Sequence, residues 1–545
     1  MEGTAKILHV SRGVLKDAQG GPKSPMWTVI HGNVYDIGAW VDRHPGGDVI
    51  RVAAGRDATW LFQSYHGKHV EAILDQFYVG KLVDETHGTG VGHGEGEAKE
   101  EKRTITSLET WRKQEEGTHV EEPAEDAPKE GTAPPERNAK LTHANYRGPA
   151  NRDGMKQTNE RRSSPTPIEH EVLGKAERDL EPVAQYQSGP FYDELKRRVA
   201  KEMRQNGLNP RKSTSMYVKT ALILISCVTT WWSAFFSPFR ALRMLCAALL
   251  GFCRAQVGVS IQHDANHGAY SRNKLASTIA GASLDFVGAS SFMWKQQHVV
   301  GHHAYTNVDG MDPDIRVGEK DVRRVTKHQP WYPYHAFQHL YLGWLYSLLA
   351  IKSFAIDDFL ALKTGRIGNV HINKMTLAER QIFWAGKSFY FFCVYMLPGR
   401  MSTAGWTELL LLWALNEAFA GWTLAFLFQV AHVVGEVDFI KANEKTGKVD
   451  REWAIAQLET TADFSHGSSF WLHVSGGLNH QVVHHLFPGI CHTHYPRIAP
   501  IVKQLCEEKG VKYRVFPSFW TALQAHFRYM KHVGSVKVPS LATIG

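Results

Sequence analysis

Hydrophobic and polar positions follow three different rules along the chain, and each rule predicts a different kind of structure. Between Trp27 and Asp36 they alternate around a Gly32-Asn33 turn, which predicts a small β-hairpin with a short helix after it. From 85 to 180 the chain is rich in Gly, Glu, Lys, Arg and Pro and poor in branched aliphatics and aromatics. Such a stretch buries too little apolar surface to offset the entropy of ordering, which predicts a disordered linker. Beyond it come runs of membrane length: a hydrocarbon core of ~30 Å needs roughly 20 apolar residues in a helix. Met216–Phe236 and Phe239–Ile261, parted by Ser237-Pro238, predict one transmembrane hairpin, and Gln381–Leu397 with Trp406–Phe428, around Pro398-Gly399-Arg400, a second.

The expected architecture is therefore a small α+β unit over 1–84, a disordered linker over 85–180, and an all-α membrane unit over 181–545. The last is expected to hold four transmembrane helices in two hairpins, interfacial helices and a histidine-rich cap. Ala336–Ile356 is also apolar enough to span, but its His339, Tyr341, Trp344, Tyr346 and Lys352 suit a helix lying in the interface, and Ala276–Trp294 reads the same way. Lys196, Arg197, Arg198, Lys201, Arg204, Arg211 and Lys212 precede the first span and place that side in the cytosol. Each hairpin returns the chain to its starting side. Lys387, Asn416 and Glu417 within the second pair are expected to face the bundle interior, and Glu408 to snorkel at a span end.

Composition narrows the picture. The 545 residues exceed one compact core, so more than one unit is expected. The formal charge of +8, with no basic run interleaved with aromatics, suits an anionic membrane surface and argues against nucleic acid. Of the 6 cysteines, Cys227, Cys246, Cys253 and Cys393 lie in apolar runs as small hydrophobes, and their spacing suggests neither disulfides nor a zinc knuckle. Met1–Gly13 has no apolar core long enough for a secretory signal, so internal spans are expected to direct insertion. The 29 histidines call for an explanation, and metal binding is the economical one.

The histidines cluster where apolar runs end. His263-Asp264-Ala265-Asn266-His267 puts two imidazoles at i and i+4, about 5–6 Å apart on one helix face, a spacing for gripping an ion. His298-Val299-Val300-Gly301-His302-His303 and Gln481-Val482-Val483-His484-His485 repeat the pattern, and His432 closes the fourth run. The two-hairpin topology brings all of them to one face. Eight imidazoles exceed the ligands of one ion and suggest two, and among the metals that take neutral nitrogen, iron is the redox choice for dioxygen. Gln481 can ligate or hydrogen-bond through its amide oxygen; His480 points elsewhere on a helix. Asp264, Asn266, Asn307 and Asp312 are candidates for orienting the imidazoles, and Trp294-Lys295-Gln296-Gln297 for touching an acyl headgroup.

Near the N-terminus, His44-Pro45-Gly46-Gly47 presents an imidazole on a tight loop. With Arg56-Asp57-Ala58-Thr59, Phe62, His66 and Phe77-Tyr78-Val79-Gly80, the stretch from Thr28 to Val83 resembles a cytochrome b5 domain. That resemblance implies haem b held by two axial histidines, a ligation suited to electron transfer. His44 is one ligand, and His66 is chosen over His69 as the other. The ordered set HxxxH, HxxxHH and QxxHH behind such a domain resembles the front-end fatty acyl desaturases of the membrane histidine-box family, over nearly the whole chain except the linker.

The resemblance implies two iron ions held by His263, His267, His298, His302, His303, His432, His484 and His485, with Gln481 as a further site residue. It also implies dioxygen, a fatty acyl substrate linked to CoA or phospholipid, and an NADH-dependent cytochrome b5 reductase as partners. Two irons reduced through the haem would activate dioxygen, remove hydrogen from two adjacent methylenes, and leave a cis double bond and water. The expected location is the endoplasmic reticulum membrane, multi-pass, with both termini and the active site cytosolic. The Asn479–Pro488 run and the following His-Thr-His-Tyr-Pro are most similar to Δ5 enzymes, with Δ4 next and Δ6 or Δ8 as further alternatives. Other readings are an acyl or sphingoid hydroxylase, a non-catalytic membrane haem carrier, or a transporter. Gln481 and the N-terminal haem domain favour desaturation over hydroxylation, and histidines at span ends disfavour a transporter.

Overall fold

The structure, a computed structural model, describes residues 8–21, 24–67, 70–83, 103–105, 108, 185–187, 189–211, 213–315, 321–443 and 447–537. Of residues 107–180 only Leu108 is described. The disordered-linker expectation thus lies outside the described residues, as does His69, except that Arg103–Ile105 forms a strand.

Six strands make the N-terminal sheet: β1 (Leu8–Ser11), β2 (Gln19–Gly21), β3 (Ser24–Ile30), β4 (Asn33–Asp36), β5 (Tyr78–Val83) and β6 (Arg103–Ile105), in the order β2-β3-β4-β5-β1-β6. β3 and β4 form the expected hairpin, with Ile30 opposite Asn33. Its two turn residues are His31 and Gly32 rather than Gly32 and Asn33. Both have positive φ, 52° and 77°, the backbone that a two-residue turn needs to follow the twist of its strands. Gly80 lets β5 lie against β1, since a Cβ there would stand 2.1 Å from the Leu8 carbonyl oxygen. β6 extends this sheet along β1, so part of the stretch assigned to the linker belongs to the sheet.

Among the described residues three helices are long and apolar enough to cross a membrane: Thr214–Phe236, Arg240–Asn266 and Trp406–His432. The first two meet at Ser237-Pro238 as expected. The remaining arm of the second hairpin is helical through Leu377–Phe391, Phe392–Met396 and Leu397–Met401, but Gln381 and Lys387 dilute its apolar run and it is not one of the three. Ala336–Ile356 is broken into short α, 3-10 and π pieces and is not one of them either. Arg240–Asn266 and Trp406–His432 cross closely: a Cβ on Gly251 would stand 2.2 Å from the Asn416 carbonyl oxygen.

Polar groups among these helices turn inward in pairs, because an unpaired charge there has no water to solvate it. Arg254 meets Glu417 at 3.0 Å, and Lys387 reaches Asp358 at 2.6 Å. Glu408 does not snorkel: Arg243 pairs with it at 2.9 Å, and both side chains are at most 14% exposed. Trp232, Leu245, Trp344 and Leu410 are exposed, an outward apolar surface of the kind that faces lipid.

The haem-type unit and the helical unit pack as one body. Arg56 is the hub of the contact, its Nη2 donating to Gln296 Oε1 at 3.3 Å, the His371 carbonyl at 2.7 Å and Asn373 Oδ1 at 2.5 Å. Asn373 returns two hydrogen bonds, to the Arg51 and Ala54 carbonyls. Arg211 and Lys274 donate to the carbonyls of Pro45 and Asp42. Gln296 is therefore spent on this junction and not on a headgroup.

Candidate metal and haem centres

The three histidine clusters are spread along the chain from His263 to His485 and meet in one buried place. Both helices that carry the first two clusters contain π turns, Val257–Gln262 just before His263 and Lys295–His302. A π turn widens the helix by one residue and re-aims the side chains it carries, a feature frequent at functional sites. The third cluster sits on the short helix Gln481–Leu486, every residue of which is buried.

The imidazole nitrogens fall into two groups. In the first, those of His263, His267, His298 and His484 lie within 4.8 Å of one another, and in the second, those of His302, His432 and His485 do. Two nitrogens bound at about 2.1 Å to one ion can stand at most ~4.2 Å apart, so each group is close to the size of one coordination sphere. His303 lies between them: its Nε2 is 3.0 Å from His484 Nε2 and 3.3 Å from His298 Nε2, and its ring centroid is 4.6 Å from that of His485. Gln481 Nε2 is 3.0 Å from His432 Nε2 and 3.4 Å from His485 Nε2.

The outer nitrogens are tied down. His298 Nδ1 donates to Asp314 at 2.9 Å, His302 Nδ1 to Asp312 at 2.9 Å, and His485 Nδ1 to Gln457 Oε1 at 2.9 Å. His484 Nδ1 lies 3.3 Å from the Tyr495 hydroxyl, and His267 Nδ1 lies 2.9 Å from that of Tyr65. With Nδ1 carrying the proton, each Nε2 presents a lone pair inward. Nε2 of His267 and His302 and both nitrogens of His263 are buried without a hydrogen-bond partner. Orphaned inward lone pairs backed by outward donors are the donor set that a cation satisfies, so the residues fit a metal. Burial, and then the neighbouring imidazoles, hold His267, His298, His302, His303, His484 and His485 well below the usual imidazole range, which keeps them neutral and able to ligate.

Sequence reasoning found one of these anchors, Asp312, and missed Asp314, Gln457, Tyr495 and Tyr65. The Asp312-Pro313-Asp314 pair soon after the second cluster was a usable signal; the other three come from distant segments and had none. Asn266 hydrogen-bonds Gln262 and the Gly281 carbonyl instead of an imidazole. Asn307 donates to the carbonyls of His432, Asp438 and Thr460, so it braces backbone. Asp264 accepts from His492 at 2.8 Å, with His263 at 3.9 Å. His480 packs on His466, ring centroids 4.4 Å apart, away from both groups.

A cavity of about 270 Å³ adjoins the first group, with Gly258, Leu284, Met293, Ala420, Leu424 and Phe428 on its wall and His263 and His298 at its edge. Trp294 stacks on His298, ring centroids 4.5 Å apart. Arg254, Asp357 and Asp358 share the wall, but most of it is apolar, and the space lies next to the nitrogens, where a hydrocarbon chain has to reach.

A second cavity, about 240 Å³, lies between His44 and His66, whose ring centroids are 5.9 Å apart. His44 Nδ1 donates to the Gly47 carbonyl at 3.2 Å and His66 Nδ1 to that of Phe62 at 2.9 Å, which leaves Nε2 of each ring as the lone-pair nitrogen. One iron with an imidazole on each side fits this separation, and Trp40, Leu61 and Phe77 supply apolar walls for a flat macrocycle. Burial pulls His44 down to about 4, against the opposing pull of the Gly47 carbonyl.

Comparison with known proteins agrees with this geometry. Residues 238–517 match the family model described as fatty acid desaturase, and residues 14–83 the one described as cytochrome b5-like haem/steroid binding domain. The chain is 42% identical over 509 residues to an acyl-lipid (8-3)-desaturase of Physcomitrium patens, covering 93% of this chain and 88% of that one. It is 29% identical to Delta(5) fatty acid desaturase A of Dictyostelium discoideum, covering 95% and 92%. A sn-1 linoleoyl-lipid 6-desaturase of Synechocystis sp. is 35% identical over 62% of this chain and 94% of its own.

Proposed function

We propose a function from one premise: this chain belongs to the fatty acid desaturase family, is an oxidoreductase of that kind, and carries a cytochrome b5-like domain on its N-terminal side. We infer that it is a front-end desaturase inserting a cis double bond at Δ5 of a polyunsaturated acyl chain, using dioxygen. The observation that carries this is the convergence of seven histidines into two nitrogen groups, with His303 between them, beside a largely apolar cavity. Δ5 draws support from the Asn479–Pro488 run and from a relative named for that position; Δ6, named in another relative, is the alternative that the same geometry allows.

The ligand set for two irons is His263, His267, His298 and His484 at one site and His302, His432 and His485 at the other, with His303 between them. Gln481 completes the second site through Oε1, which an amide flip turns toward His432 and His485. His44 and His66 would hold haem b. When bound, these groups supply the redox chemistry that couples dioxygen to removal of two hydrogens from the acyl chain.

The residues present do the rest. Asp312, Asp314 and Gln457 hold the imidazoles in one tautomer, so that no ring must rotate during turnover. Leu284, Met293, Leu424 and Phe428 line the cavity, exclude water and fix which methylenes stand beside His263 and His298. Regiochemistry on this reading is a distance, measured from where the acyl head is held to those two rings.

The organisation proposed is haem domain 1–84, linker 85–180 apart from the Arg103–Ile105 strand that joins the haem-domain sheet, and desaturase domain 181–545, with residues 377–401 as a fourth span. Four spans put every histidine cluster and the haem domain on one side, the cytosolic face of the endoplasmic reticulum, within reach of an NADH-dependent cytochrome b5 reductase. Expression in a host lacking polyunsaturated fatty acids, fed a series of acyl precursors, tests the reading. A new Δ5 bond located by mass spectrometry is expected, absent from a His303→Ala variant. Unchanged lipids across all feeds, with haem and iron loaded, would overturn it.

A further inference from the structure

Tyr65 belongs to the haem domain and sits next to His66 in sequence, yet its hydroxyl lies 2.9 Å from Nδ1 of His267 in the first histidine cluster. His267 in turn has Nε2 buried and unpartnered toward the metal site, and with Gly268 it also lines the haem cavity. One imidazole therefore borders both centres. The Tyr65 ring is held there by packing on Gly489, where a Cβ would stand 3.0 Å from Tyr65 Cδ1. Tyr192 braces the same junction, its hydroxyl donating to the Leu486 carbonyl at 2.6 Å and the Ser64 carbonyl at 3.3 Å.

We infer that Tyr65 is a positioning residue through which the haem domain completes the metal centre, accepting a hydrogen bond from the Nδ1–H of His267 so that Nε2 ligates, and joining that ligand to the haem ligand His66. The inference rests on His267 being an iron ligand. Its other anchored neighbours are oriented by groups of the desaturase domain itself: Asp314, Asp312, Gln457 and Tyr495. His267 alone takes its outer hydrogen bond from the haem domain. A docked haem domain thus has two effects at once.

It fixes a ligand, and it supplies the short route Tyr65–His66 for single electrons. The exchange would be of one electron: a ferrous haem held by His44 and His66 would give it up and a ferric ion held by His267 would take it, with no proton carried along the bridge. Two such transfers serve each double bond, and an external pyridine-nucleotide reductase restores the haem.

The test uses the full-length holoenzyme and Tyr65→Phe, which removes the hydroxyl and keeps the ring on Gly489. The low-spin haem spectrum and haem content are expected unchanged. Ferrous iron affinity, measured by anaerobic titration of the iron-stripped protein, is expected to fall about 10- to 100-fold. Oxidation of dithionite-reduced haem by air in the presence of substrate, followed by stopped-flow absorbance, is expected to slow by about tenfold or more even at saturating iron. Unchanged iron affinity together with an unchanged haem oxidation rate would overturn the inference. His267→Ala run alongside separates the premise from it: if that variant binds iron like the parent, the ligand assignment fails, whatever Tyr65→Phe does.

Discussion

Replacing Asp312 by Asn changes one atom in a side chain that accepts from three donors. Oδ2 accepts from His302 Nδ1 at 2.9 Å and from the Asn307 backbone N–H at 2.9 Å, while Oδ1 accepts from the Asp314 N–H at 2.9 Å and stands 3.1 Å from His302 Nδ1. An amide has one oxygen, so whichever way it turns its NH2 faces a backbone donor. A buried donor left without an acceptor costs about 1–3 kcal/mol, and loss of an imidazole's outer partner costs about 10- to 100-fold in metal affinity. In the metal-free protein, burial and the neighbouring Asp314 charge push the Asp312 carboxyl well above the usual carboxylate range, and a cation on His302 reverses that pressure. Asp312→Asn should therefore raise the ferrous iron concentration for half-loading by 10- to 100-fold, with desaturation partly restored by excess iron. The measurement is anaerobic iron titration of stripped protein, paired with product analysis in cells grown at graded iron. Asp285→Asn is the control, a buried carboxyl that accepts from the Ser291 backbone and touches none of the eight histidines. If Asp312→Asn and Asp285→Asn load iron alike, the idea that the aspartates tune the centre through the imidazoles is wrong.

Acid should loosen the metal-free protein. The buried imidazoles stay neutral in the fold while the unfolded chain takes up protons near pH ~6.5, so their contribution to stability is present above that pH and lost as pH falls below it. The melting temperature of iron-stripped protein should drop between pH 7 and 5, and a flat profile would argue against neutral burial. His44, pulled down to about 4, should let the haem-free site take up haem with little change from pH 7 to 5 and weaken only as pH approaches 4, as read by Soret titration. Arg56→Ala removes a buried cation's hydrogen bonds, each worth about 1.5–3 kcal/mol, and should raise hydrogen exchange in the Lys295–His302 segment beneath the haem domain; identical exchange would remove Arg56 from its role as the hub. Ala420→Phe, projecting into the 270 Å³ cavity, should depress conversion of the longest acyl chains first while iron content holds.

What could be read from the chain was what repeats at short range. An i, i+4 histidine pair, an apolar run and an alternating hairpin each fit within a few turns of sequence. The hairpin turn was nonetheless placed one residue late, because asparagine's tolerance of positive φ outweighed that of His31, while the strand register chose His31-Gly32. Glu408 looked like a span-end residue until Arg243, 165 positions earlier, appeared beside it. The anchors Gln457, Tyr495 and Tyr65 were hidden for the same reason: each is an ordinary residue in its own neighbourhood and acquires a role only when a distant segment arrives. The tether reading of residues 85–180 carried no hint that Arg103–Ile105 would be drawn into the haem-domain sheet, since a three-residue edge strand leaves almost no pattern.

The two π turns make the metal centre intolerant of a change in residue count. A π turn is an α-helix with one residue inserted, so deleting a single residue such as Val299 would let the backbone relax into ordinary α winding with no loss of helix. His298 and His302 would then stand at i, i+3 on an ordinary α turn instead of i, i+4 on a π turn, their spacing along and around the helix altered. Such a variant would keep its circular dichroism and its place in the membrane, yet hold these two imidazoles at a spacing that no longer matches the site, which makes counting along these helices as constraining as the identity of the residues on them.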